Sequence, residues 1–139
     1  DRAQSYLDLA EVMLLALDVD GRIALINRKG CEILGYAEAE LVGRDWYELC
    51  IPERTREHSR AGMAGVIAGT RDPMSYVEDT VVTRDGRTKL IAWRTTLLRD
   101  ERGQVTGTLS SGEDVTDRRR AETRLRKSEP LLRAAQEIA

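Results

Sequence analysis

Two cysteines, a single histidine, two tryptophans and a scatter of carboxylates are the groups through which this chain could do chemistry. Cys31 and Cys50 form neither a CxxC pair nor part of a metal-ligand cluster, and His58 alone leaves no N/S ligand set for zinc. No Ser or Cys nucleophile stands beside a credible base, His58 has no evident orienting partner, and no GxxxxGK phosphate loop occurs. The acidic residues fall at turns and on helix surfaces, where solvation accounts for them. No catalytic or metal centre is therefore expected within the chain.

Charge excludes further classes. Lys plus Arg number 22 against 24 Asp plus Glu, a formal net charge of -2, so no overall field draws nucleic acid or an anionic membrane. The longest apolar run, "VMLLAL" at 12 to 17, is far short of the roughly 20 residues that cross a bilayer. The opening "DRAQSYLDLA" lacks the order of a secretion signal. A soluble cytoplasmic chain without nucleic-acid or membrane contact is expected. With 139 residues it has the size of one domain around one core. Phe is absent, so Leu, Ile, Val, Ala and Met must fill that core, with Trp46 and Trp93 as unusual bulk.

Periodicity predicts the elements that position these groups. Ala3, Tyr6, Leu7 and Ala10 have helical spacing, giving an N-terminal cap helix over 1 to 10. In "EVMLLALDVDGRIALINR" two β-rich runs flank the Asp20-Gly21 turn, a hairpin signal. Both faces of the first run are apolar, as in a strand covered on both sides. Asn27 can cap a short helix that Gly35 ends, and short helical pieces fit "AEAELVG" and "DWYEL". A longer helix over about 53 to 68 follows Pro52, its inward residues expected among Ala61, Met63, Ala64 and Ile67. Strands are predicted over 75 to 83, 88 to 99 and 104 to 115, with turns at Asp85-Gly86 and at 100 to 103. This order predicts an α+β fold: a five-stranded antiparallel sheet with helices on one face, a core over 11 to 116, and a C-terminal helix over 117 to 139. A small ligand would sit in the hollow between sheet and helices.

"DVDGRIALINRKGCEILGYAEAELVGRDW" and "TRDGRTKLIAWRTTLLRDERGQVTGTLSSGEDVTD" together resemble the PAS sensor family. The first is similar to that family's opening hairpin and helix with its N…GY…E(L)VG spacing, the second to its three-stranded C-terminal half. The resemblance spans about residues 8 to 118. It implies a sensory and dimerisation domain of a signalling protein, such as a sensor kinase of a two-component system or a diguanylate cyclase. The candidate ligand-lining residues are Asn27, Trp46, Met63, Ile67, Tyr76, Trp93, Thr95 and Ser110. The alternative is a ligand-free structural dimerisation module with a filled core.

Three ligand chemistries of that family can be held against these residues. Flavin members that form a thiol adduct carry a Cys in a stretch like "GRNCRFLQ". Here the stretch is "GRDWYELC", with Trp46 at the reactive position and Cys50 about one turn later, which argues against an adduct. Haem members use a His on the long helix. His58 falls one place before that position and Ser59 occupies it, a rotation of about 100° that argues against haem. A flavin bound without an adduct needs ring stacking and a few polar partners, for which Trp46, Trp93, Asn27, Thr95 and Ser110 are suitable types. The same tryptophans serve equally as core bulk.

At "GEDVTDRRRAE" the last strand passes into a charged helix. Thr116 can cap that helix and Asp117 suits its positive end, while Arg118, Arg119 and Arg120 need Glu113 or Asp114 to offset them. The resemblance assigns signal transmission to Asp114 and Thr116. Further on, Ala121, Leu125, Ser128, Leu132, Ala135 and Ala139 make a heptad-like stripe able to pair two chains weakly, so a homodimer through the terminal helices is expected. Pro130 should break or kink the helix near 128 to 129. "LLRAAQEIA" resembles the opening helix of a following PAS unit, which implies a covalently linked output domain.

Overall fold

The computed structural model describes residues 2–72 and 76–138. Residue 75 of the predicted third strand and Ala139 of the heptad stripe lie outside the described residues, as do the side chains of Ala3 and Leu7. In chain order the elements are α1 (Arg2–Leu9), β1 (Met13–Asp18), β2 (Ile23–Ile26), α2 (Arg28–Leu34), α3 (Glu38–Leu41), α4 (Trp46–Cys50), α5 (Glu53–Ala68), β3 (Val77–Val82), β4 (Thr88–Arg99), β5 (Val105–Asp114) and α6 (Thr116–Ile138). The strands form one antiparallel sheet in the order β2-β1-β5-β4-β3. The α+β plan is the one the sequence predicts.

The order follows from the connections. Two hairpins at one end (β3-β4 and β4-β5) and one at the other (β1-β2) are local, and β5 closes the sheet by pairing along all of β1, from Met13 opposite Gly112 to Asp18 opposite Gly107. The last strand is thereby central, and α6 leaves from the middle of the sheet. β1 is covered on its inner face, where Met13, Leu15 and Leu17 are buried, while Leu14 on the outer face stays half-exposed. The core runs from these residues to Ile33 and Leu34 of α2, Leu41, Trp46, Cys50, Val81 and Ile91.

Asn27 is the hinge of this core rather than part of a ligand wall. It is buried, its Oδ1 accepts from Gly30 N (3.0 Å) as the cap of α2 and from Leu14 N (2.9 Å), and its Nδ2 donates to Val12 O (2.9 Å). One amide thus fastens the start of α2 to the edge of β1.

The long helix turns differently from the sequence expectation. Ala61 and Ala64 are exposed, and the stripe facing the sheet is Ser59, Gly62, Met63 and Val66, at i, i+3, i+4 and i+7. Only Met63 belongs to both sets. Polar and small residues on the inward stripe disguised it, since a hollow rather than close-packed core lies beneath. Nor does Pro130 end α6, which runs continuously to Ile138. Its surroundings are exposed, so water can satisfy the carbonyl that the missing N–H leaves, and the flanking Arg, Lys, Glu, Leu and Ala are good helix formers.

Candidate functional site

A hollow of about 350 Å³ lies between the inner sheet face and α4 and α5, within the range typical of small-molecule sites. Its floor comes from β1 (Leu15, Leu17), β4 (Trp93, Thr95) and β5 (Ser110); its walls from Trp46, Tyr47 and Ile51, from the α5 stripe, and from Val77 to Asp79. Strand alternation explains the floor: Trp93 and Thr95 share a face, and Thr95 stands opposite Ser110 in the β4-β5 register. Their hydroxyls are 2.7 Å apart. One proton joins the pair, so the other is left for an acceptor above it. Trp46 and Trp93 meet edge to face, centroids 5.8 Å apart and planes at 89°.

The walls are braced by cations on carbonyls and rings. Arg56 donates to Tyr47 O (2.8 Å) and Ile51 O (3.1 Å), satisfying the carbonyl end of α4. Arg60 lies over the Tyr47 ring at 4.7 Å and pairs with Asp45, whose Oδ1 caps α4. Burial pushes the Tyr47 phenol up to about 12. Ser59 donates to Asp79 Oδ2 (2.7 Å) across the hollow's edge, tying α5 to β3.

Of the sequence candidates, Trp46, Met63, Trp93, Thr95 and Ser110 line the hollow together. Asn27, Ile67 and Tyr76 do not. Asn27 is spent on backbone groups, as above; Ile67 is displaced by the rotation of α5, its neighbour Val66 taking the inward place. Tyr76 is exposed, has Arg94 over its ring at 5.3 Å and donates to Glu78 Oε2 (2.9 Å). Val77 opposite Trp93 is the inward residue, and alternation sends Tyr76 to the other face with Arg94. Sequence reading missed Tyr47, Ser59, Arg71 and Asp79 as wall residues. Their signal was weak, because each is a common surface type at an unremarkable spacing. His58 is exposed, yet stands at the hollow's wall. Cys50 is fully buried outside the lining, and burial pushes its thiol up to about 12. Among the described residues no group of His, Cys, Asp and Glu could hold a metal ion, and no helix is long and apolar enough to cross a membrane.

The junction with α6 is locked to the sheet. Thr116 Oγ1 accepts from Leu90 N (2.9 Å) and donates to Asp114 Oδ1 (2.6 Å), which also accepts from Thr116 N (3.0 Å). Thr116 is thus not a free cap: it joins the first turn of α6 to β4, and Val115 continues the ladder by donating to Leu90 O (2.9 Å). Glu113 offsets Arg118 at 3.5 Å. A second tie was not foreseen. Arg119 grips Glu78 of β3 with two nitrogens, Nε to Oε1 at 2.9 Å and Nη2 to Oε2. Arg119, and after it Tyr76, hold the Glu78 carboxyl below its usual range.

A five-stranded antiparallel sheet, helices over one face enclosing a hollow, and an outgoing helix continuous with the central strand define an α+β domain. The PAS fold family model matches residues 7–120, and the chain belongs to the PAS family. Solved structures agree. The PAS domain of a protein from Colwellia psychrerythraea superposes with a TM-score of 0.72 at 19% identity, over 84% of this chain and 96% of that one. A sensory box histidine kinase/response regulator from Burkholderia thailandensis is similar over 96% of this chain and 99% of that chain, with 26% identity and a TM-score of 0.68. The PAS domain of the Cronobacter turicensis RpfR quorum-sensing receptor, solved with BDSF and with C12:0, has 25% identity and a TM-score of 0.66, over 77% of this chain and 96% of that chain. No curated protein matches the chain.

Proposed function

We propose that this domain binds a small, mainly apolar ligand in the hollow and passes its occupancy through α6 to an attached output domain. One observation carries the reading. Val77 and Asp79 of β3 border the hollow, and Glu78 between them sends its carboxylate to the opposite face, where it holds Arg119 of α6. A ligand that shifts this edge strand therefore acts on both anchors of the outgoing helix, Glu78 directly and Thr116 through the β4 ladder. Signalling then needs two packings close in free energy and a ligand that prefers one. The ligands named for the Cronobacter domain support an apolar occupant, and the Burkholderia relative supports a kinase-type output. The hollow favours this over a ligand-free module with a filled core.

The test is hydrogen exchange with decan-1-ol as ligand, its binding followed by tryptophan fluorescence. Binding should change protection in the first turns of α6, and a Thr116→Val, Arg119→Gln double variant should bind equally well but lose that change. Fluorescence that never responds to the alcohol would remove the ligand reading. Binding that leaves α6 exchange untouched would remove the relay. A non-adduct flavin in place of an apolar ligand would show as a yellow protein on purification; haem through His58 would show as a red one.

The homodimer belongs to the same proposal. Leu125 and Leu132 of α6 are exposed one heptad apart, and Tyr6 and Leu9 of α1 are exposed as well. Two leucines make a weak seam, so a Leu125→Glu, Leu132→Glu variant should sediment as a monomer where the parent chain shows a concentration-dependent dimer. Unchanged sedimentation would place the interface elsewhere.

A further inference from the structure

We infer that Arg71 is the recognition cation of the hollow, and that the ligand is an amphipathic monoanion: a carboxylate at the rim on an apolar body within. This rests on the proposed ligand site and adds the chemical class of its occupant. Arg71 reaches the hollow by an unusual route. Gly69 ends α5 in the left-handed conformation (φ 84°), the chain folds back, and Thr70 N and Arg71 N both donate to Gly65 O, at 2.9 and 3.2 Å. The Arg71 side chain then lies along α5 over two glycines. A Cβ at Gly65 would sit 3.1 Å from Arg71 Cδ, and one at Gly62 only 2.7 Å from Nη1. A methyl at Gly62 would push the guanidinium aside, and one at Gly65 would crowd its stem.

The charges around it make Arg71 the uncommitted one. Asp79 is held by Ser59 Oγ and Thr80 N, Glu78 turns its carboxylate to Arg119 on the other face, and Asp72 is itself engaged. Among the described residues the Arg71 guanidinium makes no hydrogen bond or ion pair. Inward of it the surface is Met63, Val66, Trp46, Leu15 and Leu17. A planar cation at an apolar mouth suits a carboxylate, which it can bind through two parallel N–H donors.

The test compares decanoate with decan-1-ol, equal in chain length and differing in charge, by tryptophan fluorescence. The parent protein should bind decanoate roughly tenfold more tightly or better, as expected for a charge-assisted hydrogen bond at a partly exposed rim. In Arg71→Gln that preference should vanish, decanoate losing about tenfold more affinity than decanol. Gly62→Ala, which pushes the guanidinium aside, should lower the same ratio whatever it does to overall affinity, and added salt should erode it in the parent protein. Equal binding of acid and alcohol by the parent, or a preference that survives in Arg71→Gln, would overturn this assignment and leave the hollow as an apolar site. Failure of both ligands to bind would overturn it together with the ligand reading.

Discussion

Asn27→Ala should lower the unfolding free energy by about 3 kcal/mol, or roughly 10 °C in Tm, with little effect on any ligand affinity of the folded protein. Three backbone groups from two segments, Val12 O and Leu14 N at the edge of β1 and Gly30 N in α2, lose their partner at once, in a place where the residue is 1% exposed. Each buried group left unpaired costs about 1–3 kcal/mol, and loss of the α2 cap about 1 kcal/mol, partly shared among the same bonds. Asn27→Ser should recover about 1 kcal/mol, because a hydroxyl can cap Gly30 but is too short to reach Val12 as well. Urea titration measures both. If the alanine variant proved as stable as the parent while losing ligand, Asn27 would be a binding residue after all and its placement in the core wrong.

The second large effect is steric. β5 approaches β1 so closely that a Cβ on Gly107 would lie 2.1 Å from Leu17 O, with Asp18 Cα at 3.2 Å. Both neighbours are backbone of a central pair, so neither can yield without breaking the ladder that joins the two halves of the sheet. Gly107→Ala should therefore cost about 3 kcal/mol or more. Gly43→Ala gives the control. Gly43 has φ 88° but nothing within 4 Å of its would-be Cβ, so only the backbone penalty of about 1 kcal/mol applies. Equal losses for the two alanines, measured by chemical denaturation, would show that close approach is not what excludes a side chain at 107.

These two positions also show how far local pattern carries. Asn27 was legible as a helix cap, because capping needs only an acceptor beside the next few N–H groups. That the same amide also bonds β1 required the strand to be folded against it. Gly107 carries no local signal, since its neighbour Leu17 lies 90 residues away in sequence. In the same way Trp93 and Thr95 could be placed on one face by alternation alone, whereas Tyr76 could not. Which parity of β3 faces inward depends on its register with β4, where Val77 meets Trp93. For α5 the apolar pattern misled, because the residues turned to the hollow are a serine, a glycine, a methionine and a valine rather than a continuous apolar stripe.

The sequence by itself determined the order of elements, the turns at 20–21, 85–86 and 100–103 and the α+β class, because each follows from contacts within a few residues or from strict alternation. Only the tertiary structure decided the rotation of α5, the Arg71 side chain laid over Gly62 and Gly65, and the grip of Arg119 on Glu78. These join residues up to 41 positions apart. No periodicity encodes such a meeting, since it depends on how separate elements are brought side by side.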